Sequence, residues 1–541
     1  MQKKNSQHFN FKKWLCQYRH QVTLVIIILV AFFIRFHHLG SLPQVLNRDE
    51  AALAYNAYLI STASVDEWGK TRPLLFQSFG DYKLPGYIYT LAAIFGSLKV
   101  FSVNTIWSDY LVRLPGALAG LGIVVLAYYF AKIFTKRQSF PHWWSLVLPA
   151  LLAITPVLIW YSRGAWEANV GLFFSLLAAY ILLREGLKTP DKKAWRWPSL
   201  TALALSLIAA SAFYNSPLIC ATALLPFLPL LYGWKNYRRW LPPLLTLAAT
   251  CTAIFIVLAP LTSQKNDITL FSDPTFWNFY PDYRASFTNN PIASKLLGNQ
   301  YVYLGERILV NLGASFSPNF LLRSGGSHPW HQLDHGFVHF GLQAAAMFYA
   351  SLATTLIAVA AQLFKKAKKA ALQLTVPVKT LFLMLVALAP AIITTDAPHA
   401  TRSLLFFVLI NFLIWYQLAS WRTQISKKIW TFIAVAWLLL VSAHSGTYLW
   451  RYFVWFPQNQ ERYGTSLVST FQDLAWSSPE KKIIVGGDVA YNYILAAWYT
   501  KMPASVFLNT IQRSLPTIAN LYAGEALANF VFVGEDSELA P

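Results

Sequence analysis

The sequence predicts an all-α polytopic membrane protein. Apolar runs of about 20 residues, the length of a membrane span, recur along the chain. Only 12% of its 541 residues are charged, against about 25% in a soluble domain. The mean hydropathy is +0.41. The net charge of +21 could point to nucleic acid, but the basic residues are placed by membrane sidedness, so nucleic acid is excluded as a partner. Cys16, Cys220 and Cys251 lie in the N-terminal tail or in apolar stretches and imply no disulfide framework.

Lys3, Lys4, Lys12, Lys13 and Arg19 precede the first apolar stretch and place the N-terminus in the cytoplasm. No small-residue cleavage site closes that stretch before Arg35-Phe36-His37-His38, so it reads as an uncleaved span over 20–38. The polar segment 39–111 follows. Within it, 86–101 is apolar but short for a span. If 86–101 lies along the outer face, ten further spans follow at 112–134, 143–161, 167–183, 199–214, 217–232, 240–261, 337–363, 378–395, 402–420 and 428–446. The loops then sort by charge. About 24 basic residues fall on the inner side with two acids, Glu185 and Asp191, while the outer side is near balance. If 86–101 crossed, the later basic loops would face outward. The expectation is therefore about eleven spans in a multi-pass plasma-membrane protein, with a cytoplasmic N-terminus and an extracytoplasmic C-terminus.

Residues 1–446 form the membrane domain, with a first outer loop at 39–111 and a large one at 262–336. Residues 447–541 form a small extracytoplasmic α/β domain. Its strands are read at Lys482-Ile483-Ile484-Val485-Gly486-Gly487 and Asn529-Phe530-Val531-Phe532-Val533-Gly534, with a helix near 491–499 between them. No internal repeat is visible.

The chemistry-bearing residues gather at the outer ends of spans. They are Asp49, Glu50, Lys83, Arg113, Arg163, Glu167, His399 and Arg402. Carboxylates this close to lipid are costly without a partner or a task. A carboxylate can take the proton from an attacking hydroxyl. Arg and Lys can stabilise a departing lipid phosphate. No Gly-rich nucleotide loop is present. Each residue also has a plainer reading. Asp49 precedes Glu50-Ala51-Ala52-Leu53 as a helix N-cap would. Arg35, Lys83 and Arg113 can snorkel to headgroups. Arg163 and Glu167 are spaced as a helix-surface ion pair, and His399 and Arg402 can close an interhelical turn.

The order of motifs is more specific. It runs Asn47-Arg48-Asp49-Glu50, Asp81-Tyr82-Lys83-Leu84-Pro85-Gly86-Tyr87, Val112-Arg113-Leu114-Pro115, Tyr161-Ser162-Arg163-Gly164-Ala165-Trp166-Glu167 and Pro398-His399-Ala400-Thr401-Arg402. This resembles the prokaryotic protein O-mannosyltransferase-like family of the GT-C superfamily, which includes the transferase that adds aminoarabinose to lipid A. The resemblance covers the membrane region to about residue 420. It implies a GT-C fold and a polyprenyl-phosphate-linked sugar donor. It makes Asp49, beside Glu50, the catalytic carboxylate. Lys83, Arg113 and Arg402 become donor-phosphate ligands, and Glu167 a second acid, with Arg163, His399, Asp81 and Tyr82 lining the site. Lys83-Leu84-Pro85-Gly86 departs from the family's usual pair of prolines before an aromatic.

No cofactor is required by this chemistry. The second outer loop carries His328, His331, Asp334, His335 and His339, residue types that can bind a divalent metal, though in no recognised zinc spacing. Phe276-Trp277-Asn278-Phe279-Tyr280 reads as an interfacial belt, with sugar stacking as the alternative. The expected function is transfer of a sugar from a polyprenyl phosphate to a protein hydroxyl, lipid or envelope glycan, inverting, with Asp49 as general base. The alternative is a transporter or flippase for a lipid-linked sugar. Charges clustered at span ends rather than mid-membrane favour the transferase.

Overall fold

A computed structural model describes residues 11–534 apart from 80, 101, 188–194, 234–235, 263–267, 289, 327, 329–330, 334–338, 366–374, 459–464, 475–481, 488–490 and 516–521. Helix α1 (Phe11–Phe36) leads through a loop to α2 (Arg48–Ala63). The short antiparallel hairpin β1 (Phe76–Ser78) and β2 (Asp81–Lys83) precedes α3 (Pro85–Lys99). Then come α4 (Asp109–Arg137), α5 (Val147–Ile154), α6 (Pro156–Ser162), α7 (Glu167–Gly186), α8 (Trp197–Phe213), α9 (Ser216–Leu224), α10 (Leu228–Tyr232) and α11 (Tyr237–Thr262). The second long loop carries α12 (Pro274–Trp277), α13 (Tyr280–Ala285), α14 (Pro291–Leu296) and α15 (Gln300–Ser315). Helices α16 (Leu342–Lys365), α17 (Val376–Ile392), α18 (Leu404–Trp421) and α19 (Lys427–Trp450) complete the bundle.

The expected count of about eleven spans needs correction. Among the described residues, seven helices are long and apolar enough to cross a membrane, or eight if α5 and α6, bent by 60° at a break, form one span with the turn before them. Expected spans 199–214, 217–232 and 378–395 correspond to apolar helices of only 10–17 residues. Proline, which supplies no N–H and ends or restarts a helix, accounts for one of them. Pro217, Pro226 and Pro229 fragment that segment, while α8 and α17 carry Pro198 and Pro377 in their first turns and run for 17 residues each. The apolar stretch 86–101 is α3, which packs along α2.

The C-terminal region adds α20 (Thr465–Asp473), β3 (Ile483–Gly486), α21 (Asn492–Tyr499), α22 (Ala504–Thr510), β4 (Gln512–Arg513), β5 (Gly524–Leu527) and β6 (Phe530–Val533). The sheet order is β3-β6-β5-β4, with β3 parallel to β6, so the strand–helix–strand reading of the tail holds. This region shares a hydrophobic core with α2 and α3: Tyr493, Ile494, Ala497 and Phe530 pack in one cluster with Ala51, Tyr55, Tyr87 and Leu91. Glu67, almost fully buried, bolts the two together. It accepts from Asn56 Nδ2 (2.9 Å), Ser78 Oγ (2.7 Å) and Tyr493 OH (2.6 Å), and Arg513 Nη2 lies 3.4 Å away.

Candidate functional site

Helix α2 begins where the loop after α1 meets the rest of the bundle. Asn47, not Asp49, caps it. The Asn47 side chain accepts from the backbone N–H of Asp49 (2.9 Å) and Glu50 (3.0 Å), and Glu50 Oε2 accepts from Asn47 N (3.1 Å), a complete capping box. The N-cap reading of Asp49 is therefore replaced. Its carboxylate, 41% exposed, takes a 2.7 Å bond from Lys83 Nζ. Lys83 ends β2, and Pro85 opens α3 directly after it, so hairpin and helix together fix its position. Tyr82 is buried beside it, and the side chain of Asp81 lies outside the described residues.

Glu50 points inward and is 3% exposed. Its Oε1 accepts from Ala165 N (2.7 Å) and Arg113 Nε (3.1 Å). Arg113 is fully buried, and all five of its N–H donors are matched. Besides Glu50, they reach the carbonyls of Leu39 (3.1 Å), Pro43 (2.7 Å) and Val45 (2.8 Å). A guanidinium has five donors, so none remains for a phosphate in this arrangement. Arg113 is thus a clamp on the loop that delivers Asp49, and it is buried rather than snorkelling.

Arg163 does the same from the other side. It donates to Ile34 O (2.6 Å) and His37 O (2.8 Å) and stacks over Tyr452 and Phe453 at 4.8 and 4.9 Å. The expected helix-surface pair with Glu167 does not form, because the chain breaks between α6 and α7. That break is tight. A Cβ on Gly164 would meet Trp166 Nε1 at 2.6 Å, and one on Gly116 would meet Gly164 O at 2.5 Å, so side chains are excluded where α4 approaches the turn. Glu167 opens α7 at the same end, half-buried.

A second polar cluster sits across Trp166, whose ring lies edge-on to His331 at 5.5 Å. Its centre is Asp396, which sequence reasoning passed over. The Asp396 carboxylate receives Arg402 Nη1 in a short ion pair, and its Oδ2 lies 3.4 Å from His328 Nε2 and 3.6 Å from His399 Nε2. Burial raises the Asp396 carboxyl, but the His328 hydrogen bond and the Arg402 charge outweigh this and hold it below the usual carboxylate range. Burial, with the Arg402 and His331 charges, pushes His399 well below the ordinary histidine value. Burial and His328 push His331 down to about 3.

His328, Asp396 and His399 could hold a divalent metal, since their ligand atoms all lie within 4.8 Å of one another. The 3.4 and 3.6 Å separations suit a tetrahedral ion with bonds of about 2.0–2.1 Å, whose ligand edge is about 3.4 Å. Of the described candidates in the second loop, only His328 belongs to this set. His331 lies 3.4 Å from Thr401 Oγ1, and His339 is buried on the Gly325 carbonyl at 3.1 Å. Asp334 and His335 lie outside the described residues. Arg402 also donates to Thr394 Oγ1 (3.0 Å). The signal for Asp396 was present: an acid at the end of an apolar segment, three residues before His399 and six before Arg402.

The family model of dolichyl-phosphate-mannose-protein mannosyltransferase matches residues 25–259. A search of curated proteins gave no match. Among solved structures, ArnT from Cupriavidus metallidurans in the apo state is 13% identical with a TM-score of 0.50, covering 90% of this chain and 85% of that one. The same protein bound to undecaprenyl phosphate gives 13%, 0.50, 91% and 86%. The archaeal oligosaccharyltransferase AglB from Archaeoglobus fulgidus, in complex with an inhibitory peptide and a dolichol-phosphate, is 12% identical with a TM-score of 0.50, covering 91% of this chain and 65% of its own. The chain therefore has the fold that these solved structures share.

Proposed function

We propose that this protein is an integral-membrane glycosyltransferase. It moves one sugar from a polyprenyl phosphate to an acceptor hydroxyl at the extracytoplasmic face, with inversion at the anomeric carbon. The observation that carries the reading is the division of labour at the start of α2. Asn47 takes the capping bonds and Glu50 the structural ones, which leaves the Asp49 carboxylate half-open to solvent beside Lys83.

In this reading Asp49 accepts the acceptor's hydroxyl proton as its oxygen attacks C1. The bond from C1 to the phosphate oxygen breaks, and the electron pair leaves with the polyprenyl phosphate. Lys83 supplies positive charge to that leaving group, exchanging its bond to Asp49 for one to the phosphate as the donor arrives. Arg402 is the second cation, held towards the site by Asp396 and Thr394. Arg113 acts one step back, by fixing the loop that carries Asp49. A metal at His328, Asp396 and His399 would add charge stabilisation near the phosphate. The folds of a transferase crystallised with undecaprenyl phosphate and of an oligosaccharyltransferase with dolichol-phosphate support the donor class.

Asp49→Asn is expected to lower transfer by about 10²–10⁴-fold, the range for loss of a general base. Binding of undecaprenyl phosphate, followed with the lipid itself in detergent, is kept or tightened, because Lys83 no longer has to leave a charged Asp49. Lys83→Ala weakens that binding. Full turnover by a well-folded Asp49→Asn protein rejects the mechanism. In proteoliposomes, translocation of a lipid-linked sugar without formation of a new glycosidic bond rejects the transferase.

A further inference from the structure

The second long loop contains a cleft of about 400 Å³ between α12, α13 and α15, apart from the groups described so far. Phe276 and Tyr303 line it, stacked on each other 4.7 Å apart and 16° from parallel. Tyr283 stands against Tyr303 at 4.9 Å, tilted by 45°. Phe279 lines the cleft and is 67% exposed. Two charges of opposite sign, Glu306 and Arg307, line the same space.

We propose that this cleft is a saccharide subsite, which takes a neutral pyranose ring of the acceptor. The inference deepens the transferase reading and rests on it, because it assigns the acceptor's chemistry. Three features point to a sugar. Flat aromatic faces pack against the C–H face of a pyranose. Glu306 accepts from sugar hydroxyls and Arg307 donates to them, and charge-assisted bonds of this kind are strong. The two charges cancel, so the site favours a neutral ring. Among the described residues that line the cleft, Val310 is the one aliphatic side chain.

The cleft is also next to the second polar cluster along the chain. Thr395 lines it, and the next residue is Asp396, at the centre of the histidine cluster. The junction is fixed by backbone bonds. Thr395 N donates to Ile268 O (3.1 Å), and Asn311 Nδ2 on α15 donates to Ile392 O (2.9 Å) and Thr394 O (3.0 Å). The cleft lies within the large loop and is preformed, as ligand sites usually are.

The test uses the full chain in lipid nanodiscs and saturation-transfer difference NMR with methyl β-glucopyranoside, methyl α-mannopyranoside and cellobiose. The wild-type protein gives transfer to the ring C–H protons. Phe279→Ala removes an exposed face with little risk to folding, and Glu306→Gln keeps the shape while removing the charge. Each weakens pyranoside binding by about tenfold. Asp49→Asn leaves pyranoside binding intact while it abolishes transfer, so failure of the subsite and failure of the catalytic reading give different results. Three outcomes overturn the subsite: no pyranoside signal in the wild type, undiminished signals in both cleft variants, or a spin-labelled phospholipid acyl chain that broadens Phe279 and Tyr283 while no sugar binds.

Discussion

Asp49 and Glu50 are neighbours in sequence with opposite environments, and Asn47 creates the difference. A lone Asp at that position would be drawn into capping, but an Asn two residues earlier takes both N–H groups. The carboxylate one residue on is then turned into the bundle, where Arg113 and the Ala165 N–H neutralise it. Removing one partner of such a buried pair strands the other charge, at a cost of about 3–5 kcal/mol. Arg113→Ala is thus expected to destabilise strongly, and Arg113→Lys to rescue little, since three ammonium donors cannot replace a five-donor fork. Thermal unfolding in detergent checks this. Undecaprenyl-phosphate affinity should be normal in whatever fraction of Arg113→Lys folds, and a selective loss of affinity would restore Arg113 to the phosphate. The role was not legible in the sequence, because its acceptors at Leu39, Pro43 and Val45 are backbone carbonyls about 70 residues away. Asp49 and Lys83 were legible, because a charge at the end of an apolar segment stands out in any hydropathy reading.

At the scale of elements, apolar length was easy to read and its interruption was not. Each expected span contains helix, yet three of these helices are only 10–17 residues long, one of them fragmented by proline, and only the backbone shows where it restarts. The tail presents the reverse case. Its strands and helix were visible as alternating and helical patterns, but nothing in them indicated that α21 would pack on α2. Tyr499 makes that contact functional in consequence. Its hydroxyl accepts from Leu46 N (2.6 Å) and donates to Asp109 Oδ2 (2.9 Å), so the tail grips the loop immediately before Asn47. Glu67 is the other attachment. Glu67→Gln would place an amide N–H₂ among donors from Asn56, Ser78 and Tyr493, leaving at least one buried donor unmatched at about 1–3 kcal/mol. Hydrogen exchange should quicken in 492–499 and at the start of α2 together. Faster exchange in the tail alone would show that the two do not share a core.

For the whole molecule, the distribution of charge and the position of the site make one linked claim. The ends of α1, α6 and α17 and the starts of α2, α4, α7 and α18 converge, which gathers Asp49, Lys83, the Arg113 and Arg163 clamps and the Asp396 cluster at one end of the bundle. The turn between α18 and α19, with Arg422, Lys427 and Lys428, lies at the other end. Lys and Arg remain on the cytoplasmic side during insertion. The site end should therefore face out of the cell, where a polyprenyl-linked sugar is presented after its carrier has crossed. Single cysteines in a background without Cys16, Cys220 and Cys251 test this at two exposed positions, Thr423→Cys in the α18–α19 turn and Ser286→Cys after α13. In intact cells a membrane-impermeant maleimide should label Ser286→Cys and reach Thr423→Cys only after the membrane is opened. The opposite pattern would put the Asp49 carboxylate in the cytosol, where soluble nucleotide sugars are the available donors, and the absence of a phosphate-cradling Gly-rich loop would then count against catalysis at this site. Labelling of both positions from outside would mean that an odd number of segments between them had been miscounted. The short helix α17 is the one to re-examine, because among the short apolar helices of the described residues it alone lies between the two positions.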